Sequence, residues 1–368
     1  MAASLRRLKT ASGGITSRLM PAESQPEQDR GAQAFERLAG PLRREIKVHC
    51  YRMMGSLHEA DDLVQETYLR AWRSFERFDG SGSFRAWLYR IATNACLNAL
   101  ASRKSVQRLL PDQLGPAAAQ IALGAPATEV AWLEPYPESD LIGVADEAPE
   151  PEARYASGEA VQLAFVAVIQ QLPPRQRAAL LLCDVLGWAA AEAAALLGGS
   201  TASINSALQR ARETLGKHYP EGRAPVPPQP DPAQRELLGR YLKAWEGHDL
   251  DAFVALLKED ATVSMPPWMQ WFVGREAVRA LFAMLWKECN GLRLVPTAAN
   301  HQPAFAVYER TADGSSWTAH SIHVLTLERG IIGALTLFVN PGLFEGFGLA
   351  MTLADAADTE SPPGASHT

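Results

Sequence analysis

The chain has 368 residues, 47% of them hydrophobic, and a formal net charge of −6. This length indicates two or three domains with buried cores, and the acidic balance argues against a protein that coats nucleic acid without sequence preference. The four cysteines form no CxxC pair, so we predict no disulfide framework, no metal site and a cytoplasmic location. No apolar run approaches the ~20 residues of a membrane span, so a membrane partner is not expected.

Residues 1–30 are rich in Ser, Gln, Gly and charge, and we predict a disordered tail without a signal peptide. A helical block is predicted over residues 34–104. In its segment His58–Phe75 the apolar residues recur at helical spacing and the charged residues fall on the opposite face. Taken alone, that charged face indicates a solvated surface crossed by ion pairs.

The next helix of this block, predicted over Phe84–Arg103, carries a polar face of a distinctive kind. Its side chains are Arg85, Tyr89, Arg90, Thr93, Asn94, Asn98 and Arg103. Arginine contacts phosphate, tyrosine stacks on a base and asparagine bonds a base edge, so this face suits nucleic acid. The preceding loop, Phe78–Ser83, is flexible enough to hold an unstacked base. The alternative is a polar face in water.

A long connector is predicted over residues 105–157, where seven prolines exclude a long helix. The charge also changes here. Residues 36–104 hold 12 Lys and Arg against 8 Asp and Glu, whereas residues 105–160 hold 2 against 10. The first segment can therefore face phosphates, and the second cannot.

The second helical block, residues 158–219, contains the clearest motif. Gly198 and Gly199 form a tight turn between two helices, and Ser200 is placed to cap the second helix. The apolar residues of that helix face inward: Ile204, Ala207, Leu208, Ala211 and Leu215. Its polar residues stay outside: Thr201, Ser203, Asn205, Ser206, Gln209, Arg210 and Arg212. Such a helix suits base edges and phosphates in a major groove, and the alternative is an ordinary helical hairpin.

A proline-rich linker over residues 220–232 leads to a third domain, predicted over residues 233–348, and a flexible tail, residues 349–368. The third domain begins with helical segments and continues with strand-like runs such as TAHSIHVLTLE. Helices followed by antiparallel strands indicate an α+β domain.

Two motifs in the helical blocks point to a family. The stretch DDLVQETYLRAWRSFERFDGSGSFRAWLYRIATNACLNAL resembles region 2 of the extracytoplasmic-function (ECF) sigma factors of bacterial RNA polymerase. The stretch from Leu172 to Leu215 resembles their region 4, and the two occur in the right order with a connector between them. The resemblance implies two all-α domains, a helical bundle and a helix-turn-helix.

The resemblance also implies partners, namely promoter DNA and core RNA polymerase with its β′ clamp helices and β subunit. The residues that would bind the polymerase are Asp61, Asp62, Leu63, Gln65 and Glu66. The residues that would melt and read the −10 element are Phe78, Ser83, Arg85, Tyr89, Asn94, Asn98 and Arg103. Those that would read the −35 element as duplex are Ser200, Thr201, Ser203, Asn205, Ser206, Gln209 and Arg210. The acidic connector would run through the polymerase near the RNA exit path.

The third domain resembles the SnoaL-like fold, related to ketosteroid isomerase and NTF2, in which a curved sheet encloses a cone-shaped pocket. The pattern from Asp251 to Pro267 carries this resemblance, and the closing segment NPGLFEGFG resembles a motif that follows this domain in sigma factors that carry it. The candidate pocket residues are Tyr241, Trp245, Met265, Trp268, Trp271, His323 and Phe338, and a lining rich in Trp and Met leads to the hypothesis of a small apolar ligand. We expect no cofactor and no catalysis, because His320 and His323 lie three apart on a predicted strand and would point to opposite faces.

Together these features predict a multidomain alternative sigma factor that is not an enzyme. It would bind core RNA polymerase, recognise −35 and −10 elements and initiate transcription, and the SnoaL-like domain would modulate that activity. The alternative is a helix-turn-helix DNA-binding regulator fused to a ligand-binding or isomerase/cyclase-like domain. A region that melts promoter DNA argues against this alternative, because a plain repressor has no use for it.

Overall fold

A computed structural model describes residues 25–78, 80, 82–102, 107–142, 160–218 and 232–355. Several predictions concern residues outside these ranges: most of the N-terminal tail, Arg103, the later part of the connector, the proline-rich linker and the end of the C-terminal tail. The chain divides into two compact units, Met1–Pro41 and Leu42–Thr368. Among the described residues, no helix is long and apolar enough to cross a membrane.

Within the first unit lies helix α1, Gln25–Ala39. It begins inside the predicted disordered tail, so that prediction was wrong for residues 25–30. Pro26 stands in the first turn, where a missing N–H removes no intrahelical hydrogen bond. Most of the residues that follow are good helix formers, which accounts for a helix in a segment of polar composition.

The first helical block of the second unit contains three helices: α2, Arg43–Met54; α3, Leu57–Ser74; and α4, Phe84–Ser102. Helix α2 ends at Gly55, whose φ of 72° suits a residue without a side chain. Ser56 then caps α3, because its hydroxyl accepts a hydrogen bond from the N–H of Glu59 at 3.2 Å. The predicted inner face of α3 is buried at Val64, Thr67 and Ala71.

The second helical block contains four helices: α5, Leu163–Gln170; α6, Pro174–Leu180; α7, Ala190–Leu197; and α8, Thr201–His218. A π-helical turn, Leu181–Val185, extends α6. Gly198 ends α7 in the left-handed conformation, with φ of 65°. The N–H of Ser203 donates to Ser200 Oγ at 3.2 Å, and the N–H of Ser200 donates to Ser203 Oγ at 3.1 Å. The turn and the cap predicted for the helix-turn-helix are therefore confirmed.

The described part of the connector, residues 107–142, is irregular chain with short 3-10 turns at Pro111–Gln113 and Glu138–Asp140. Glu134 ties it to the first helical block: its N–H donates to Gly55 O at 3.0 Å, and its carbonyl accepts from Tyr51 Oη at 2.8 Å. Residues 115–128 follow a different course and run along the C-terminal domain. The connector thus contacts two domains.

The C-terminal domain joins four helices to one curved sheet. The helices are α9, Pro232–Glu246; α10, Leu250–Ala255; α11, Arg275–Leu285; and α12, Leu343–Gly346. The strands are β1, Leu257–Ser264; β2, Trp271–Val273; β3, Leu292–Ala299; β4, Gln302–Arg310; β5, Ser316–Glu328; β6, Ile331–Phe338; and β7, Thr352–Ala354. The strand order is β2-β1-β6-β5-β4-β3, with β1 parallel to β6 and the other pairs antiparallel.

The core of this domain lies between the sheet and the helices. Helix α9 packs on β3, and α11 packs on β1 and β2. Large aromatic side chains fill the space between them, including the fully buried Tyr241, Phe253, Phe272 and Phe282. Each such side chain contributes about 1.5–3 kcal/mol by its burial.

The predicted flexible tail begins at residue 349, yet part of it is built into the sheet. Strand β7 pairs antiparallel with β5, and Trp317 lies opposite Leu353. The carboxylate of Asp355 forms an ion pair with Arg310 at 2.6 Å. The prediction was therefore wrong for this part of the tail, because its backbone groups pair with residues 316–318 of β5, before the part of that strand that pairs with β6.

Candidate nucleic-acid and polymerase interfaces and the C-terminal cavity

The outer face of α3 presents most of the residues predicted to bind the polymerase. Asp62, Gln65 and Glu66 are exposed. Asp61 is half-buried and forms an ion pair with Lys47 at 2.9 Å. Leu63 is only 5% exposed and belongs to the core, so it was wrongly assigned to this face. Its burial follows from the helical period, which turns it inward beside the neighbouring apolar residues.

Helix α4 divides the residues predicted for the −10 element into two groups. Ser83, Asn94 and Asn98 are exposed to solvent. Tyr89 is fully buried, with its ring edge-on to His49 at 5.0 Å and to Trp188 at 5.7 Å. Burial raises the pKa of the Tyr89 phenol well above its ordinary value.

Arg85 and Phe78 are also engaged within the protein. Arg85 forms an ion pair with Glu45 at 2.5 Å, and its guanidinium lies 5.1 Å from the centre of the Tyr89 ring. The ring of Phe78 is half-buried and packs at 5.5 Å from Phe84. In this arrangement neither Tyr89 nor Phe78 is turned outward to stack on a base. The prediction that Tyr89 belongs to the outward polar face of α4 is thus corrected, because His49 of α2 and Trp188 of the second helical block cover it.

The seven residues predicted for the −35 element all lie on the exposed side of the helix-turn-helix. The predicted inward residues of α8 are all buried: Ile204, Ala207, Leu208, Ala211 and Leu215. The hydroxyls of Ser200 and Ser203 form hydrogen bonds within the cap of α8. The side chain of Gln209 donates to Glu213 at 3.1 Å. All seven side chains are therefore exposed to solvent on one surface, as predicted from the helical period.

The two helical blocks meet through buried polar groups. Arg177 on α6 is only 3% exposed, and its guanidinium donates to the carbonyls of Met53 on α2 and Ile169 on α5. Burial lowers the pKa of Arg177 to about 10. From α5, Gln170 donates to the carbonyl of Arg52 on α2 at 3.0 Å. These bonds hold α2 against the second block.

A single asparagine of the C-terminal domain joins three other parts of the chain. Asn300 occupies the turn between β3 and β4 and is fully buried. Its Nδ2 donates to Tyr51 Oη at 3.0 Å and to Val161 O at 2.7 Å. Its Oδ1 accepts from the N–H of Tyr136 at 2.8 Å, and its own N–H donates to Tyr136 O at 2.9 Å. It therefore bonds to α2, to the connector and to the chain that leads into α5.

The neighbours of Asn300 add to this junction. The N–H of His301 donates to Glu138 Oε2 at 2.9 Å, and its ring lies 2.6 Å from Glu138 Oε1. Gln302 accepts from the N–H of Leu163 at 3.1 Å. Both Asn300 and His301 have φ of 57°, a conformation that asparagine tolerates better than most residues. From the sequence, no role in this junction was predicted for Asn300, His301 or Gln302. The sequence signal at this position is a short polar turn between two strands.

The C-terminal domain contains a partly open cavity of about 140 Å³. Four of the predicted wall residues line it: Trp245, Met265, Trp268 and His323. Tyr241 lies behind the wall, where its hydroxyl is 3.0 Å from His323 Nδ1. Trp271 lies on the β2 edge and its indole donates to Gly115 O at 2.8 Å. Leu337 faces the cavity, and its neighbour Phe338 therefore lies on the opposite side of β6. The prediction that Trp271 and Phe338 line the cavity was wrong.

Two histidines share this cavity, contrary to the expectation that they point apart. His320 and His323 both line it, together with Ser321. The cause is a bulge in β5: Val307 pairs with Ser321 and Tyr308 with Ala319, which leaves His320 unpaired. A bulge inserts one residue and redirects the side chains beside it, so the period-two rule fails here.

These histidines are poorly suited to proton transfer. Burial, with a further contribution from His320, lowers the pKa of His323 well below its ordinary value. Burial also raises the pKa of Tyr241 well above its ordinary value. His323 and Tyr241 are therefore both neutral near pH 7, and each is a weak acid and a weak base. Among the described residues, no cluster of His, Cys, Asp or Glu could hold a metal ion.

Comparisons with known proteins agree with this architecture. Family models match in three places: Sigma-70 region 2 at residues 38–106, Sigma-70 region 4 at residues 162–215 and the SnoaL-like domain at residues 238–333. The ECF RNA polymerase sigma factor SigG of Mycobacterium tuberculosis is 42% identical over 319 residues, which are 85% of this chain and 83% of that protein.

A second relative, the ECF RNA polymerase sigma factor SigJ of the same organism, is 28% identical and covers 83% of this chain and 91% of its own. The crystal structure of SigJ matches with a TM-score of 0.54 at 24% identity, over 84% of this chain and 98% of that one, and so shares the fold. With the two sigma regions, the helix-turn-helix and the fused third domain all in place, the chain belongs to the ECF sigma factors of bacterial RNA polymerase.

Proposed function

We propose that this sigma factor binds core RNA polymerase through the outer face of α3 and reads promoter DNA with α4 and α8. The exposed carboxylates and amide of Asp62, Glu66 and Gln65 suit a basic partner such as the β′ clamp helices. The polar face of α8 suits the major groove of a −35 element. Ser83, Asn94 and Asn98 remain available for the −10 strand.

The C-terminal domain, in this proposal, modulates the sigma regions by holding a closed arrangement. The observation that supports this proposal is that the Asn300 side chain forms hydrogen bonds to both helical blocks and to the connector. In that arrangement Tyr89 is buried beside Trp188. Release of the Asn300 junction weakens the closed arrangement. Separation of the two blocks, which also breaks the bonds of Arg177 and Gln170 to α2, would expose Tyr89 to an unstacked base.

The cavity of the C-terminal domain is proposed to bind a small apolar ligand rather than to catalyse a reaction. Its wall is mainly aromatic and aliphatic, with few polar groups. An isomerase or cyclase of this fold needs a competent general base, and the lowered pKa of His323 makes that residue a weak one. Sigma factors leave nucleotidyl transfer to the core enzyme, so no catalytic group is required.

In vitro transcription with core polymerase tests this function. Full-length protein, a chain that ends at Pro220 and the variant Asn300→Ala are compared on one promoter, with Asn290→Ala as a control in an exposed turn of the same domain. We expect transcription to depend on the sigma factor, and Asn300→Ala to increase open-complex formation over the control. Absence of core polymerase binding by both the full-length and the shortened chain would refute the sigma assignment of these surfaces. Equal transcription by all forms would refute modulation.

A further inference from the structure

Part of the connector is bonded across one edge of the C-terminal domain. Residues 115–128, here called the strap, lie against β2 and the loop before it. Six hydrogen bonds join them: Ala118 N to Trp271 O, Ala127 N to Pro267 O, Ala122 N to Gln270 Oε1, Gln270 Nε2 to Gln120 O, Trp268 Nε1 to Gly124 O and Trp271 Nε1 to Gly115 O, at 2.8–3.4 Å. This contact is specific, although the strap has no regular secondary structure.

The strap also completes the wall of the cavity. Leu123 lines the cavity beside Trp268, whereas Ile121 packs on the same core without lining it. A connector residue thus occupies space that would otherwise belong to the pocket of the C-terminal domain. Removal of the Leu123 side chain enlarges the cavity without touching any residue of that domain.

The chemistry of the cavity restricts what can enter. Trp245, 3% exposed, and Trp286 line it, and their buried indole N–H groups have no hydrogen-bond partner among the described residues. A ligand with a hydrogen-bond acceptor that reaches one of these N–H groups supplies the partner that it lacks. His323 is neutral, so the site holds no cation to balance an anionic ligand. A neutral aromatic molecule with one acceptor fits these walls.

The size of the cavity then couples the ligand to the strap. A dry cavity of about 150 Å³ holds a single benzene ring. The cavity of about 140 Å³ therefore seats one ring while Leu123 is in place, and a molecule whose two fused rings are both seated inside it needs the space of that side chain.

We propose that a neutral ligand with two fused rings and one hydrogen-bond acceptor competes with Leu123 for this cavity, and that its binding detaches the strap from the C-terminal domain. The regulatory consequence rests on the function proposed above: once detached from the C-terminal domain, the strap can bind within the polymerase. The competition itself is a property of the isolated chain.

Titration calorimetry on the full chain tests the competition with two probes, acetophenone (one ring) and 2-acetonaphthone (two fused rings), each with one carbonyl. We expect Leu123→Ala to bind 2-acetonaphthone at least tenfold more tightly than wild type, and acetophenone with less than threefold change. Ile121→Ala, which alters the strap outside the cavity, is the matched control and should resemble wild type. In wild type, saturating 2-acetonaphthone should raise hydrogen exchange across residues 115–128.

Three results would overturn the proposal: no binding of 2-acetonaphthone to either wild type or Leu123→Ala, equal affinity in both, or binding without faster exchange in the strap. If Leu123→Ala does not fold, the exchange measurement on wild type decides alone. None of these results bears on transcription, and a failure to bind core polymerase leaves the competition intact, so the two proposals fail separately.

Discussion

Replacement of Asn300 by alanine tests the closed arrangement most directly. The side chain makes three hydrogen bonds, to Tyr51 Oη, Val161 O and Tyr136 N, and is fully buried. The substitution removes all three. Tyr51 keeps its bond to Glu134 O at 2.8 Å, but the N–H of Tyr136 and the carbonyl of Val161 lose the bonds that Asn300 supplied.

The size of the effect follows from these losses. A buried polar group left without its partner costs about 1–3 kcal/mol, so two cost about 2–6 kcal/mol. Alanine at φ of 57° also strains the turn by about 1–2 kcal/mol, because it lacks the side-chain amide that lets asparagine tolerate the left-handed region, but this strain is present in the closed and open arrangements alike. The closed arrangement therefore loses roughly 2–6 kcal/mol relative to an open one.

Hydrogen exchange and small-angle X-ray scattering on the full chain measure this loss. A loss of about 3 kcal/mol predicts exchange of the Tyr136 amide at least 100-fold faster, with a larger radius of gyration. Asn300→Gly removes the same bonds without the left-handed strain and should give the same effect. The exposed Asn290→Ala should give none. Unchanged exchange and scattering in both the alanine and the glycine variants would refute the reasoning.

Two further predictions concern other parts of the molecule. Arg210→Ala should weaken binding to a −35 duplex and reduce the slope of log K against log salt concentration by about 1, as expected for a phosphate contact. The loss of affinity should be the same on a scrambled duplex. An unchanged slope in a fluorescence anisotropy titration contradicts that role. Acid should destabilise the first helical block, because burial lowers the pKa of His49 to about 3, against about 6.5 in the unfolded chain. The unfolded state then binds the additional proton, so the stability present above pH 6.5 falls by about 2 kcal/mol at pH 5. Thermal unfolding at pH 7.5 and 5 should show a smaller difference for His49→Gln; an equal difference counts against His49 as the source.

The α4 helix shows how far the helical period carries the prediction of a site. The period correctly placed Leu88, Ala92 and Cys96 inside and Asn94 and Asn98 outside. It placed Tyr89 outside as well, although that residue is buried. The period identifies the faces of a helix, but the neighbour that covers a face comes from elsewhere in the chain, here from Trp188.

The histidines of β5 show the same limit in a strand. Alternation of side chains predicts that residues three apart face opposite ways, and it fails at His320 because a bulge adds one residue to the strand. A bulge depends on how two strands pair, and the sequence of one strand alone does not reveal that pairing. The wall of the cavity was therefore only partly predictable, and Leu123 was missed because it lies in the connector.

By itself the sequence determined the local elements of this protein: the glycine turn and serine cap of the helix-turn-helix, the inward stripes of its helices, the order of its domains and its family motifs. Each depends on residues within a few positions of one another. The tertiary structure alone decided which surfaces are covered and which parts are joined. Asn300 bonds to Tyr51 across 249 positions of sequence, and the strap bonds to a sheet edge some 150 residues away. Such contacts form only once the domains have folded and packed, so local patterns of the sequence carry no information about them.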